Sequence, residues 1–166
     1  MFSGEAEGTV GDDFDGWMQQ ALDEARQCGD DVPVGALILR DGVVLARGRN
    51  QREAAGDPTG HAEIVAMREA ARALGTWRLD GTTVVCTLEP CPMCAEAMIQ
   101  ARVARLVYGA HDTVYGAVGS AFNLFVEGRT FPIPEVIGGV REEESRLMLR
   151  QFFKDLRVRK EGAKRG

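Results

Sequence analysis

Apolar residues recur at spacings of three and four over residues 13–28, where Phe14, Trp17, Met18, Ala21, Leu22 and Ala25 share one face of a predicted helix ended by Gly29. After Pro33 the periodicity changes. The continuous apolar run Val34-Gly-Ala-Leu-Ile-Leu39 reads as a buried strand, and Arg40-Asp-Gly42 turns it into a second strand over residues 43–48. Residues 50–60 are polar with Gly and Pro and read as a loop. A second amphipathic helix opens near His61, with Asp57 and Thr59 offered as caps and Ile64, Val65, Met67, Ala70, Ala71 and Leu74 at helical spacing. A β-branched strand over 81–88 runs into Pro90 and a helix over 91–101 follows, then a strand over 103–109. Residues 122–125 and 134–137 are weaker strand candidates. A final helix over 142–157 is expected to turn Leu147, Leu149, Phe152, Phe153 and Leu156 inward.

Strands alternating with helices of this length predict crossover connections, an α/β fold with its sheet covered on both faces, and a site at the strand ends. The 166 residues suit one domain, long enough to form its own core. No stretch of about 18 apolar residues is present, and the acidic, Gly-containing start does not resemble a signal peptide, so a soluble, intracellular protein is expected. The net charge of −5 argues against indiscriminate phosphate binding. Charge placement alters that expectation, because residues 154–166 carry six basic side chains against two acidic ones, a local balance of +4. Such a tail suits an anionic contact, or simply a solvated helix end whose cations match the helix dipole.

The candidate chemistry sits in two short segments, His61-Ala-Glu63 and Pro90-Cys-Pro-Met-Cys94, each at an expected helix N-terminus. Cys91 and Cys94 are three positions apart, so on one helical turn both sulfurs can grip a single ion, at about 2.3 Å each, with His61 supplying nitrogen. Three protein ligands leave one tetrahedral position open, as a catalytic zinc requires. His111 is the only other histidine and no second close cysteine pair exists, so a closed structural site is not expected. Glu63 projects from a different helix face than His61 and can move protons for water activated at the metal. Taken singly, a Cys-x-x-Cys pair is often redox-active or buried and a lone His at a helix start often caps it. Jointly, H-x-E followed by P-C-x-x-C is a known signature of zinc deaminases, the tRNA adenosine deaminases among them.

On these residues the chain resembles the cytidine-deaminase-like superfamily, and within it the bacterial tRNA-specific adenosine deaminases. The similarity covers residues 13–160. Its carriers are Val32-Pro-Val-Gly-Ala36, Asn50, Asp57-Pro-Thr-Gly-His-Ala-Glu63, Thr87-Leu-Glu-Pro-Cys-Pro-Met-Cys94, Ala97-Met-Ile99, Val107-Tyr-Gly-Ala110 and Gly119-Ser120. The tail Gln151-Phe-Phe-Lys-Asp-Leu-Arg157 discriminates further, since relatives acting on free bases share the metal motifs. The resemblance implies a three-layer α/β/α sandwich on a mixed five-stranded sheet, one Zn2+ per subunit on His61, Cys91 and Cys94, and Glu63 as proton shuttle. It implies a base contact from Asn50, backbone N–H contacts from Ala62 and Cys91, and RNA contacts from Asp112 and Phe152. A cytoplasmic homodimer acting on a tRNA anticodon stem-loop without an organic cofactor follows from the same likeness. The implied reaction is hydrolysis of a C–N bond of a cyclic amidine, converting the wobble adenosine of an arginine tRNA to inosine. The expected organisation is a flexible segment at 1–12, a deaminase domain at 13–160 and a flexible basic tail at 161–166. Two departures stand out: Asp31 where Glu is frequent, and Thr130-Phe-Pro132 where the family commonly has an Asn-His pair.

Two alternatives remain open at this level: a deaminase of free guanine or cytosine, and a catalytically silent zinc or RNA-binding module. Glu63 speaks against the module, because folding around zinc does not need that carboxylate. His111 is expected at the surface, Cys28 and Cys86 as free core thiols, and Trp17 and Trp77 as packing residues. One ring of Phe152-Phe153 is left to stack on a base.

Overall fold

The computed structural model describes residues 11–166, so residues 1–10 of the expected flexible segment lie outside the described residues. Helix α1 (Phe14–Ala25) begins where the Asp13 side chain accepts a hydrogen bond from Gly16 N (2.9 Å). Strands β1 (Gly35–Arg40) and β2 (Val43–Arg49) form the expected hairpin, with Asp41 and Gly42 both at positive φ, the turn whose twist matches paired strands. The short helix α2 (Arg52–Ala55) interrupts the segment expected to be all loop. Helix α3 (Ala62–Leu74), strand β3 (Thr82–Leu88), helix α4 (Pro92–Gln100), strand β4 (Arg105–Ala110), strand β5 (Glu135–Ile137) and helix α5 (Glu142–Ala163) complete the chain.

The strands form one mixed sheet in the order β2-β1-β3-β4-β5, antiparallel through β2, β1 and β3 and parallel through β3, β4 and β5. Alternate residues of the central strands enter different cores, which explains their unbroken apolar runs. Ala36, Ile38, Val84, Cys86, Leu106 and Tyr108 pack with α3 and α4, whereas Leu37, Leu39, Val85 and Val107 pack with α1. Met148 of α5 joins the second cluster, giving the three-layer sandwich. Among the described residues no helix is long and apolar enough to cross a membrane.

Helix α3 approaches β2 closely because Gly48 has no side chain. A Cβ there would meet Ala62 O at 2.3 Å and Ala66 N at 2.6 Å, both backbone atoms that cannot step aside. Gly48→Ala is therefore expected to cost about 1–3 kcal/mol of stability through overpacking. Urea denaturation of the purified variant measures it, and an unchanged midpoint would show that α3 can shift freely.

Four expectations need correction. Residues 122–125 form only an isolated bridge, Val118 to Asn123, because the segment bonds back to the loop just before it (Phe122 N to Gly116 O, 2.9 Å; Leu124 N to Ala117 O, 2.8 Å) rather than along a strand. Asp57 does not cap α3: its Oδ1 accepts from Thr59 N (2.8 Å) and Thr59 Oγ1 (2.7 Å), and His61 itself occupies the N-cap position. Helix α5 continues to Ala163, and its apolar residues do not all turn inward. Leu147 and Leu149, two positions apart, fall on nearly opposite sides of a helix, and Ser145 is its only fully buried residue. Trp77 is 59% exposed and stacks with Arg78 and Arg102 instead of packing in the core; Trp17, Cys28 and Cys86 are buried as expected.

Candidate active site

The N-termini of α3 and α4 converge at the end of the sheet. His61 and Cys91 are their N-cap residues, both with extended backbone and neither with a side-chain cap hydrogen bond, so both side chains project into the space between the helices. Pro92 opens α4 at a position where its missing N–H costs nothing. Cys94 follows within the first turn and is fully buried.

His61 Nδ1 lies 3.5 Å from Cys91 Sγ and 3.5 Å from Cys94 Sγ, and the three donor atoms lie within 4.8 Å of one another. Zinc–sulfur and zinc–nitrogen bonds of ordinary length at a tetrahedral angle place nitrogen and sulfur about 3.6 Å apart. The donor set therefore fits a zinc ion in both chemistry and spacing. A hydrogen bond from Cys94, opposed by burial and reinforced by His61, lowers the Cys91 thiol pKa to about 4. The same pairing, together with burial, pushes Cys94 up. The hydrogen bond to Cys91 raises His61. Two sulfurs sharing a proton beside an imidazole surrender it to a dication, since metal binding at such ligands releases protons.

Glu63, on the first turn of α3, is 4% exposed, and burial raises its carboxyl above the ordinary value. Its Oε2 lies 3.4 Å from Cys94 Sγ. A carboxylate so placed adjoins the three donors without belonging to the closest cluster.

His61, Glu63 and Cys91 line the floor of an open cleft of about 790 Å³ that also includes Asn50, Ala62 and Asp112, with Cys94 buried beneath it. Asn50 is buried; its Nδ2 donates to Val32 O (3.2 Å), and its Oδ1 has no partner. A buried acceptor left unpaired costs free energy unless something else binds it, so this atom points to a ligand. The departure at Asp31 has a structural use. Its buried carboxylate accepts from Glu53 N (2.8 Å) and Ala54 N (3.0 Å), capping α2 and fixing the rim that carries Arg52.

Phe152 does not reach the cleft. It lies in a separate groove with Leu147 and Met148 beside α1, and its neighbour Phe153, 43% exposed, lines the cleft instead. One position along a helix turns a side chain by about 100°, which decides between the two rings. His111 also borders the cleft, with Nδ1 2.9 Å from Glu142 Oε1. From His111, Leu149 and Phe153 the cleft continues into a groove lined by Arg146, Arg150, Lys154 and Arg157. Asp31, Arg146 and Arg150 were missed as site residues, whereas Lys154 and Arg157 belong to the basic stretch suited to an anionic contact and Phe153 to the pair of which one ring is left to stack; the i, i+4 spacing of Arg146, Arg150 and Lys154 was the available signal.

The model of the cytidine and deoxycytidylate deaminase zinc-binding region matches residues 13–110. A tRNA-specific adenosine deaminase of Bacillus subtilis is 43% identical over 151 residues, covering 90% of this chain and 94% of that protein. Another, from Agrobacterium fabrum, is 46% identical over 144 residues, covering 86% and 95%. A solved structure from work on A-to-I editing by tRNA:A34 deaminases at the wobble position of transfer RNA superposes with a TM-score of 0.78 at 45% identity, covering 81% of this chain and 99% of that one. With zinc-ligand spacing at two converging helix starts, the expected mixed sheet and these likenesses, the chain belongs to the zinc-binding cytidine and deoxycytidylate deaminase family, alongside tRNA-specific adenosine deaminases.

Proposed function

We propose that this protein hydrolytically deaminates the wobble adenosine of a tRNA anticodon loop, an arginine tRNA, to inosine. In this reading His61, Cys91 and Cys94 hold one zinc per subunit. When bound, zinc supplies an acidified water and stabilises developing negative charge. Glu63 takes a proton from the attacking water and delivers it to the purine ring nitrogen, then takes the second proton from the new C6 hydroxyl and gives it to the amine as the C6–N bond breaks and C6=O forms. Water and adenosine thus yield inosine and ammonia. Burial suits Glu63 to both steps, because a carboxyl raised above its ordinary value gives and takes protons more evenly near neutrality. Asn50 offers its unpaired Oδ1 to the base edge, and the N–H groups of Ala62 and Cys91 steady the reacting centre.

The observation that carries the choice of substrate is the continuity between cleft and cationic groove. Arg146 is paired with Glu142, whereas Arg150, Lys154 and Arg157 make no ion pair among the described residues. A free base has no phosphates for these cations, and it favours an enclosed pocket. A nucleotide flipped from a single-stranded loop needs an open mouth and a track for its backbone. Of the Phe152-Phe153 pair, Phe153 is the ring that stacks on a base, in place of the RNA contact expected from Phe152. The same reading treats residues 13–160 as the deaminase domain, and takes a cytoplasmic homodimer needing no organic cofactor as its working form.

Inosine formation on an arginine tRNA with an unmodified wobble adenosine tests the proposal, run beside ammonia release from adenine, adenosine, guanine and cytosine. Turnover of the tRNA alone supports it; release from guanine or cytosine with an inert tRNA replaces the substrate. The groove has its own prediction. Replacing Arg150 and Lys154 together by Ala is expected to raise KM for the anticodon stem-loop and lower the salt dependence of binding by roughly 1.5 in log–log slope. Binding isotherms at several salt concentrations measure that slope, and an unchanged value would remove phosphate contacts from this face.

A further inference from the structure

Residues 111–134 connect β4 to β5 without a helix or a regular strand, yet they supply one wall of the cleft, His111 to Tyr115. Backbone N–H groups in such a segment need partners as much as those in a sheet. Glu89 provides them. It follows the last residue of β3, is 2% exposed, and is tied to β4 by its own N–H to Ala110 O (2.8 Å). Its Oε2 accepts from Asp112 N (3.0 Å), and its Oε1 accepts from Val118 N (3.2 Å) and Ser120 N (3.1 Å). The segment bends tightly round this carboxylate at Gly116, where a Cβ would lie 2.4 Å from Glu89 Oε2. A fourth tie, Ala117 N to Pro90 O (2.8 Å), fastens the same bend to the chain leading into Cys91.

The consequence reaches the cleft through Asp112. With its N–H held by Glu89, its Oδ1 accepts from Val114 N (2.9 Å) and Tyr115 N (3.0 Å), which sets the turn that faces the cleft. Charge-assisted bonds from three backbone donors to one buried carboxylate are stronger than neutral ones, and no other side chain on the segment gathers as many.

We propose that Glu89 is a positioning residue for substrate: it fixes the His111–Tyr115 wall and so governs substrate binding rather than the proton transfers at Glu63. The kinetic part rests on the tRNA reading above; the structural part does not.

Hydrogen exchange on the zinc-loaded wild-type protein tests the structural part without any variant. The amides of Asp112, Val118 and Ser120 are expected to exchange at least about 100-fold more slowly than an open loop, as paired buried amides do. Glu89→Gln, which keeps the volume but replaces one accepting oxygen by a donor, is expected to lose that protection. It should raise KM for the anticodon stem-loop about tenfold, leave kcat within about threefold and keep zinc content at one per chain. Gly116→Ala, which forces a methyl group against the carboxylate, should reproduce the KM effect. Rapid exchange at the three amides in the wild type overturns the proposal. So does a Glu89→Gln protein with wild-type KM, or one whose loss lies in kcat or in zinc content. If the wild type leaves RNA untouched, the substrate reading fails while the exchange pattern still decides the role of Glu89. If Glu89→Gln does not fold, the wild-type exchange and Gly116→Ala decide it.

Discussion

Glu63→Gln is expected to lower kcat by roughly 10²–10⁴-fold, the usual contribution of a positioned acid–base group, while zinc content stays at one per chain. The substitution is nearly isosteric, and its amide N–H can donate to the Cys94 sulfur, 3.4 Å from Glu63 Oε2, which carries no proton when it holds zinc. The amide cannot take a proton from water or return one to the ring nitrogen. Because Glu63 is buried at the cleft floor, no solvent carboxylate can substitute for it. Metal analysis beside single-turnover kinetics makes the measurement. A Glu63→Gln protein that turned over at the wild-type rate with full zinc would assign the proton transfers elsewhere. Loss of zinc together with activity would make Glu63 a ligand or a support for one.

Removing a ligand should have the opposite signature. Cys94→Ala is expected to leave a folded protein with little bound zinc and no measurable deamination, since one of three donors is gone. Its affinity loss should exceed the roughly 10–100-fold that changes beyond the ligands themselves cause. Chelating the wild type should give the same activity loss, reversed by added zinc. It should also lower the melting temperature on the order of 10 °C, because a ligand at about 1,000 times its dissociation constant adds ~4 kcal/mol. Thermal unfolding with and without chelator, followed by circular dichroism, reads the melting temperature, and inosine formation before and after zinc is restored reads the activity. Activity that survived complete zinc removal would overturn the role of the His61, Cys91 and Cys94 group.

The contrast between these variants separates the two kinds of information in the site. His61, Glu63, Cys91 and Cys94 were legible because each sits in a short motif whose spacing is meaningful on one helical turn. Glu89 stood inside the same Thr87-to-Cys94 motif without a readable role, because its partners are backbone N–H groups of Asp112, Val118 and Ser120, more than twenty residues away. Asp31 was visible only as a departure from a pattern. Its use became clear once α2 was seen to begin beside it.

By itself, the sequence determined the alternation of strands and helices, the hairpin turn, the two helix starts and the metal-donor set. These depend on side-chain periodicity and on contacts within a few residues, which local spacing encodes. The tertiary structure alone decided that the two helix starts meet, that Asp57 folds its own loop while His61 takes the cap position, and that Phe153 rather than Phe152 faces the cleft. It also decided which arginines and lysines of α5 extend the cleft and which carboxylate holds its wall. Those outcomes turn on the rotation of each helix about its axis and on backbone partners distant in sequence, and both are set only when the whole core packs against the sheet.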